Sequence, residues 1–202
     1  MKPVMRIVIA GLLTAALSGC LGGLLGGGGK APTVLQTLTP EAADPGALTR
    51  TAAAGQSVTV AVPLTSKELH TVRVPVQISP GNVQYVTNLT WIDTPDRLFQ
   101  SLVAETIRRT TNRVVLDNGV TSLDPGLLVS GQLQKFGYDA STGQVTVEYD
   151  GALSTGGGNR VETRRFVATA PADGTAATVG PALNTAANQV ARDVAGWVGN
   201  SG

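Results

Sequence analysis

Three consecutive segments of alternating side chains constrain the fold of this sequence more than any other feature. In a half-buried β-strand, apolar side chains recur at about every second position. The sequence shows this pattern in residues 127–138, 144–153 and 161–168. The connections are rich in turn residues, since 139–143 ends in glycine and 156–159 reads Gly-Gly-Gly-Asn. We therefore predict three antiparallel strands in a meander.

The first of these segments has two different faces if its alternation is regular. One face carries Leu127, Val129, Gly131, Leu133 and Lys135. The opposite face carries Leu128, Ser130, Gln132, Gln134 and Phe136.

Two segments with helical spacing accompany the meander. The first is predicted over residues 95–109, with the Thr94 hydroxyl as its cap and Pro95 in its first turn. Its apolar stripe consists of Leu98, Phe99, Leu102, Val103 and Ile107. The second is predicted to start near Pro181, and its stripe consists of Leu183, Ala186, Ala187, Val190, Ala191, Val194 and Trp197. Both stripes should pack on a sheet.

Shorter strands are expected before the meander. We predict them at residues 33–39, 57–62, 71–78, 83–86 and 113–116, with a loop rich in Ala, Gly, Asp and Pro at 41–55. Pro75 has no amide hydrogen, so its strand should lie at an edge or carry a bulge there. The pattern indicates an α+β fold: a mixed, mostly antiparallel sheet with two helices packed on it, and a C-terminal meander followed by a helix.

The N-terminal residues have the layout of an export signal. Lys2 and Arg6 form a positive region, residues 7–17 are mostly apolar, and Ser18 and Gly19 are small. The apolar stretch is shorter than the about 20 residues of a transmembrane helix. We expect residues 1–19 to be a lipoprotein signal peptide.

Cys20 is the only cysteine of the chain. The sequence Leu-Ser-Gly-Cys at residues 17–20 resembles the bacterial lipobox, whose cysteine receives a covalent diacylglycerol and an N-acyl chain. Several acyl chains hold a protein stably on a membrane. The alternative is an ordinary secretory signal with an incidental cysteine, while a redox role lacks a second thiol or a nearby base.

Residues 20–32 are rich in glycine and are expected to form a flexible, lipidated tether. A single domain is then expected over residues 33–202. The residue immediately after Cys20 is Leu21 and not an aspartate, which by analogy with proteobacterial sorting favours the periplasmic face of the outer membrane.

Composition excludes several classes of function. Charged residues make up 14% of the chain and the formal net charge is +1, so the concentrated basic surface of a nucleic-acid-binding protein is not indicated. The single histidine, His70, has no second metal ligand at a fixed spacing. We find no nucleophile–base pair and no phosphate loop, so we expect neither an enzyme nor a metal protein.

A few residues are candidates for contacts with a partner. Trp91 is of a type enriched in binding hot spots, although in a chain with 4% aromatic residues it also fits a core position, as does Trp197. Two basic pairs are candidates for an acidic partner or lipid headgroups, with a solvated surface as the alternative. They are Arg108 with Arg109 and Arg164 with Arg165. Tyr85 completes the set.

The order of several short motifs resembles the ABC-type transport auxiliary lipoprotein family. The resemblance rests on residues 79–85 (SPGNVQY), 91–93 (WID) leading into 97–99 (RLF), 137–139 (GYD), 165–168 (RFVA) and 182–197. It covers about residues 33–198, whereas a tyrosine usual near the start of the family is absent from 33–39 and the loop at 41–56 is longer.

The resemblance implies a noncatalytic accessory role in moving phospholipids or other hydrophobic substrates. Its implied partners are a protein with a mammalian-cell-entry (MCE) domain and the permease and ATPase subunits of an ABC transporter, and it leaves a homo-oligomer open. The competing hypothesis is a stand-alone envelope lipoprotein that binds a lipid or a cell-wall ligand.

Overall fold

A computed structural model describes residues 34–117, 126–155 and 160–201, which form one sheet and two helices. In chain order the elements are β1 (Val58–Val60), β2 (Leu64–Thr65), a 3-10 turn (Lys67–Leu69), β3 (Arg73–Ser79), β4 (Asn82–Thr90), α1 (Pro95–Thr110), β5 (Val115–Leu116), β6 (Leu127–Asp139), β7 (Gln144–Ser154), β8 (Val161–Pro171) and α2 (Ala176–Asn200). The predicted α+β fold is confirmed.

The long strand β6 organises the sheet. Along one edge it pairs with β7, and β7 pairs with β8, both antiparallel over their full lengths. Along the other edge β6 takes three parallel neighbours in succession: β1, β2 and β3. Beyond these, β5 pairs parallel with β1, and β4 pairs antiparallel with β3. The sheet is mixed, the predicted meander is confirmed, and the three long ladders are antiparallel.

Both helices lie on the same side of the sheet, where the core is. The whole apolar stripe predicted for each helix is buried. Aromatic rings continue this core from α1 to α2: Phe99 lies 5.2 Å from Tyr149, Tyr149 lies 6.4 Å from Phe166, and Phe166 lies 5.5 Å from Trp197, between ring centroids. Alanine is frequent on the buried side of α2, which allows the helix to approach the sheet closely.

A β-bulge in β6 corrects the prediction of its two faces. The pairing with β7 shifts between Leu133 and Lys135, so that the alternation changes phase at Gln134. As a result Phe136, not Lys135, follows Leu133 into the core; Phe136 is buried and Lys135 is exposed. Regular alternation would have buried an ammonium group and exposed an aromatic ring.

The predicted first strand at residues 33–39 is wrong for the residues described. From Val34 onward the chain makes one isolated bridge, Gln36 with Trp91, and then leaves the sheet. The Thr39 amide donates to Asn184 Oδ1 at 2.8 Å on α2. Contact with the helix therefore replaces continued pairing with a strand.

The two helices also begin differently from the prediction. Thr94 occupies the N-cap position of α1, but its hydroxyl makes no capping hydrogen bond; instead its amide donates to Asp93 Oδ1 at 2.7 Å. Helix α2 begins at Ala176, so Pro181 lies inside the helix. Because proline has no amide hydrogen, α2 lacks the hydrogen bond from position 181 to the Ala177 oxygen that a regular helix would make there.

The remaining local predictions divide into tested and untested ones. The bulge expected at Pro75 is confirmed by a register shift between Arg73 and Pro75, although β3 has neighbours on both sides. The hairpin at 139–143 is confirmed, with Gly143 at a φ of 66°. The turn at 156–159 lies outside the described residues, as do the leader and the tether.

Candidate partner-binding surface

One face of strands β6–β8 points away from both helices. On β7, Val145, Val147 and Tyr149 are buried in the core, so the residues between them point to the other side of the sheet. We call that side the open face. It carries Gln132, Lys135, Glu148, Asp150, Arg165 and Val167.

Arg165 is the centre of a network of charges on the open face. Its Nε and Nη2 donate to the two carboxylate oxygens of Asp150 at 2.6 and 2.7 Å, a two-pronged geometry that favours arginine over lysine. Its Nη1 lies 3.2 Å from Glu148 Oε1. Gln134 also donates to Asp150, at 3.1 Å. The hydrogen bond from Arg165 lowers the pKa of Asp150 below its ordinary value.

Lys135 joins this network because of the bulge in β6. The register shift places Lys135 opposite Glu148 on β7, and Lys135 Nζ lies 3.1 Å from Glu148 Oε2. Glu148 is thereby covered by two cations and is buried despite lying outside the core. Lys135 and Arg165 offset the charges of Glu148 and Asp150, so the centre of the open face is electrically balanced.

Apolar side chains surround this balanced centre. Leu64 is 74% exposed and lies in the same row of paired residues as Gln132. Val167 is 50% exposed and is paired with Glu148. Leu128 and Val161 lie on the same face at the far end of the strands and are also exposed. The open face therefore combines a charge-balanced centre with exposed aliphatic side chains at its margin.

A cavity of about 370 Å³ opens on the same face, where β3 joins the end of β6. Gly137 and Thr146, a cross-strand pair of β6 and β7, contribute to its lining. Leu69, Pro75 and Val83 supply apolar walls. These three residues come from the 3-10 turn, β3 and β4. The apolar walls are therefore formed by β3, by its neighbour β4 and by the turn that precedes β3, next to the end of β6.

Charged groups line the entrance of this cavity. Glu68 and Asp139 are both among its lining residues, together with Lys135. Hydrogen bonds from the Ser141 hydroxyl and amide lower the pKa of Asp139, so this carboxylate remains ionised. Since Lys135 is already paired with Glu148, the entrance has an excess of negative charge.

The structure brings only some of the predicted contact residues to this surface. Arg165 lies on the open face. Arg164 points to the other side of β8, where its guanidinium carbon is 5.2 Å from the centroid of the Phe166 ring. Tyr85 is half-buried on β4, and the Arg73 guanidinium carbon lies 4.0 Å above its ring.

Three other predicted contact residues have structural partners inside the domain. Trp91 is only 1% exposed and lies edge-on to Phe136, with 5.9 Å between ring centroids, so its indole is not available to a partner. Arg108 and Arg109 both pair with Glu105 on α1. Trp91 is therefore a core residue, which corrects its prediction as a partner contact. Arg108 and Arg109 belong to the surface of α1.

The open-face network and the cavity were not predicted from the sequence. One signal was present, since regular alternation gave a lysine on the face of Leu127, Val129 and Leu133, and such a conflict indicates a bulge. The cavity has no comparable signal, because its walls come from two segments, 68–83 and 135–146, that are far apart in the chain.

The described residues show no constellation for metal chemistry. His70 is exposed, and no three His, Cys, Asp or Glu side chains within 34–117, 126–155 and 160–201 are grouped as a metal ion would require. Neither helix in these ranges is long and apolar enough to cross a bilayer. Cys20, the predicted lipid attachment site, lies outside the described residues.

The fold is similar to that of a solved protein of the DUF330 type. Protein XCC0632 from Xanthomonas campestris, a DUF330 protein, aligns over 82% of this chain and 95% of its own, with 19% identity and a TM-score of 0.67. An uncharacterized protein aligns over 72% and 96%, with 14% identity and a TM-score of 0.54. The PelC dodecamer from Paraburkholderia phytofirmans aligns over 75% and 95%, with 16% identity and a TM-score of 0.46.

The family of the chain is also established. The model of the ABC-type transport auxiliary lipoprotein component matches residues 37–195, so the chain belongs to this family and the resemblance seen in its sequence is confirmed. No curated protein matches the sequence. Membership makes the chain an accessory lipoprotein of ABC-type transport, in a family whose members are anchored at the cell envelope.

Proposed function

We propose that this protein is a noncatalytic auxiliary component of an MCE-type ABC transporter for phospholipids or other hydrophobic substrates. It faces the periplasm from a lipid anchor on Cys20 and docks on the MCE-domain subunit. The observation that carries the proposal is the family match over residues 37–195, which covers nearly the whole described domain.

The described surface supports docking better than it supports chemistry. The charges of the open face are held against one another by Arg165 and Lys135, whereas a catalytic group needs a free position beside a substrate. The exposed aliphatic residues around them, such as Leu64 and Val167, are suited to burial in a protein contact.

Lipid anchoring is proposed from the sequence of the leader. The lipobox-like residues 17–20 precede a glycine-rich segment of about a dozen residues, long enough to let a folded domain reach a partner above the membrane. The absence of aspartate after Cys20 supports the outer membrane as the site of the anchor.

Co-purification tests the transporter proposal. The full lipidated chain, expressed with the MCE-domain protein and the permease and ATPase subunits from its own genome, should be recovered with them from detergent-solubilised membranes. A matched lipoprotein carrying the same leader and tether on an unrelated domain is the control. Recovery of the control in equal amount, or no recovery of the native chain, would contradict docking.

The anchor is tested separately with Cys20→Ser. The variant should lose labelling by a palmitate analogue, and its processed form should leave the membrane fraction. The native chain should be found in outer-membrane fractions after density separation. Lipid labelling that persists in Cys20→Ser would show that another residue carries the anchor.

A further inference from the structure

We infer that the cavity on the open face is the socket through which this domain holds its MCE-domain partner, by accepting one apolar side chain that is followed or preceded by a lysine or arginine. The inference rests on the proposed function and specifies its contact site.

The shape of the cavity fits a single side chain better than a lipid. Its volume of about 370 Å³ is at the small end of the range for ligand pockets. An acyl chain would need a dry and continuous apolar lining, whereas here Gln77, Thr146 and Asp139 share the lining with Leu69 and Val83. A pocket with apolar walls and a polar rim is the usual place for an anchoring residue of a protein interface.

The charges at the entrance determine which residue should accompany the anchor. Asp139 accepts hydrogen bonds from the Ser141 hydroxyl and amide, and Glu68 is exposed on the 3-10 turn. The only cation in the lining, Lys135, is paired with Glu148 at 3.1 Å. A basic side chain on the partner would complement the remaining negative charge.

The surroundings of the cavity favour a protein over a small ligand. Beyond Lys135 the open face continues with Arg165, whose charge is already balanced by Asp150 and Glu148, and with the exposed Val167. A partner seated in the cavity could therefore extend over this face without burying an unpaired charge, which would be costly. The cavity and the face together form one continuous contact surface.

Filling the cavity tests the inference. Thr146→Tyr adds an aromatic ring to the lining on an ordinary strand position, where tyrosine is well tolerated. Thr163→Tyr is the matched control, because Thr163 is exposed on the same face of β8 but lies outside the cavity. Binding of the purified MCE-domain subunit to the full lipidated chain in detergent should weaken at least tenfold for Thr146→Tyr and less than twofold for Thr163→Tyr.

A charge reversal provides a second, independent probe that keeps the inference testable if Thr146→Tyr folds poorly. Glu68→Lys should weaken binding of the same subunit at least fivefold at low salt, and less at high salt. Asp117→Lys is the control, since Asp117 is exposed and does not line the cavity. Unfolding midpoints of all four variants should be measured first.

The outcomes separate this inference from the proposed function. If the native chain does not bind the MCE-domain subunit, both fail. If it binds and Thr146→Tyr and Glu68→Lys bind as well as their controls, docking stands and the socket is wrong. A change in self-association of Thr146→Tyr by analytical ultracentrifugation, with partner binding unchanged, would assign the cavity to a second copy and also overturn the inference.

Discussion

The Tyr149 hydroxyl donates a hydrogen bond of 2.6 Å to the backbone oxygen of Ser130. Beside this hydrogen bond, Gly131 on β6 is paired with Gly151 on β7. A Cβ atom on Gly151 would lie 3.0 Å from Tyr149 Cε1 and 3.3 Å from a Trp197 ring carbon. Gly151 therefore makes room for the aromatic core that joins the sheet to α2.

We expect Tyr149→Phe to lower the free energy of unfolding by about 1 kcal/mol, the usual net value of one hydrogen bond in a folded protein. Burial raises the pKa of the Tyr149 hydroxyl, so the group is a donor at all working pH values. Urea unfolding of the domain measures the change. Tyr138→Phe, at a half-buried position, is the control, and an equal loss for both variants would contradict a specific role of this hydrogen bond.

Gly131→Ala should be far more damaging. Gly131 has a φ of 149°, and its Cβ would lie 2.0 Å from the backbone oxygen of Asp150, so neither the conformation nor the space allows a side chain. We expect a loss of more than about 3 kcal/mol or no folded protein.

Gly196→Ala is the matched control for this substitution. Gly196 lies in α2, and nothing is within 4 Å of its Cβ position. Alanine there should stabilise the domain by up to about 1 kcal/mol through helix propensity. The two alanines should thus shift the thermal midpoint in opposite directions; a stable, folded Gly131→Ala would show that β6 can change its path.

The loop that precedes β1 is held by arginines from both helices. Arg109 Nη1 donates to the Ala42 oxygen at 2.9 Å, and Arg192 pairs with Glu41 at 3.1 Å. We expect Arg109→Ala to speed amide exchange and proteolysis at residues 41–50 while leaving β6–β8 unchanged, because it removes a direct hydrogen bond between the loop and α1.

Arg97→Ala is the control for the loop prediction, since Arg97 is exposed in the first turn of α1. Hydrogen exchange followed by mass spectrometry compares the two variants segment by segment. Equal exchange in residues 41–50 for both would show that Arg109 does not hold the loop.

Those parts of the fold that depend on local pattern could be predicted from the sequence. The meander, the stripes of both helices and Pro95 at the start of α1 follow from periodicity and from the chemistry of single residues. The strand predicted at 33–39 is wrong for the described residues because Gln36 pairs with Trp91 and the Thr39 amide donates to Asn184. These contacts join residues that are far apart in the sequence, so no local pattern predicts them.

The candidate site was less predictable than the fold, for a related reason. The sequence identifies Arg165 only as a basic residue, because its two acidic partners come from β7 and the cation that shares Glu148 comes from beyond a bulge. The sequence allows Trp91 to be a core residue or a contact residue, and only its packing against Phe136 decides between them. The cavity depends on how β3 meets β6, which is a property of topology.

Asp173 makes the start of α2 sensitive to pH. Its Oδ1 accepts hydrogen bonds from the Thr178 hydroxyl and from the hydroxyl and amide of Thr175, the N-cap residue. These bonds, led by the one from Thr178, lower the pKa of Asp173 to about 2 from an ordinary value of 3.8. A carboxyl whose pKa is lower in the folded state stabilises that state above its unfolded pKa, and the contribution is lost as the pH falls toward the folded value.

We therefore expect Asp173→Asn to destabilise the domain at about pH 6 and to converge with the native protein near pH 2, because only the ionised carboxylate gains from folding. Thermal midpoints at several pH values between these limits measure the convergence, and a carbon-detected NMR titration of the Asp173 carboxyl gives its pKa directly. Asp117→Asn, which removes a carboxyl from an exposed position, is the control. Parallel midpoint curves for native protein and Asp173→Asn would show that the carboxylate contributes equally at both ends of the range, and hence that its hydrogen bonds to Thr175 and Thr178 do not favour the charged form.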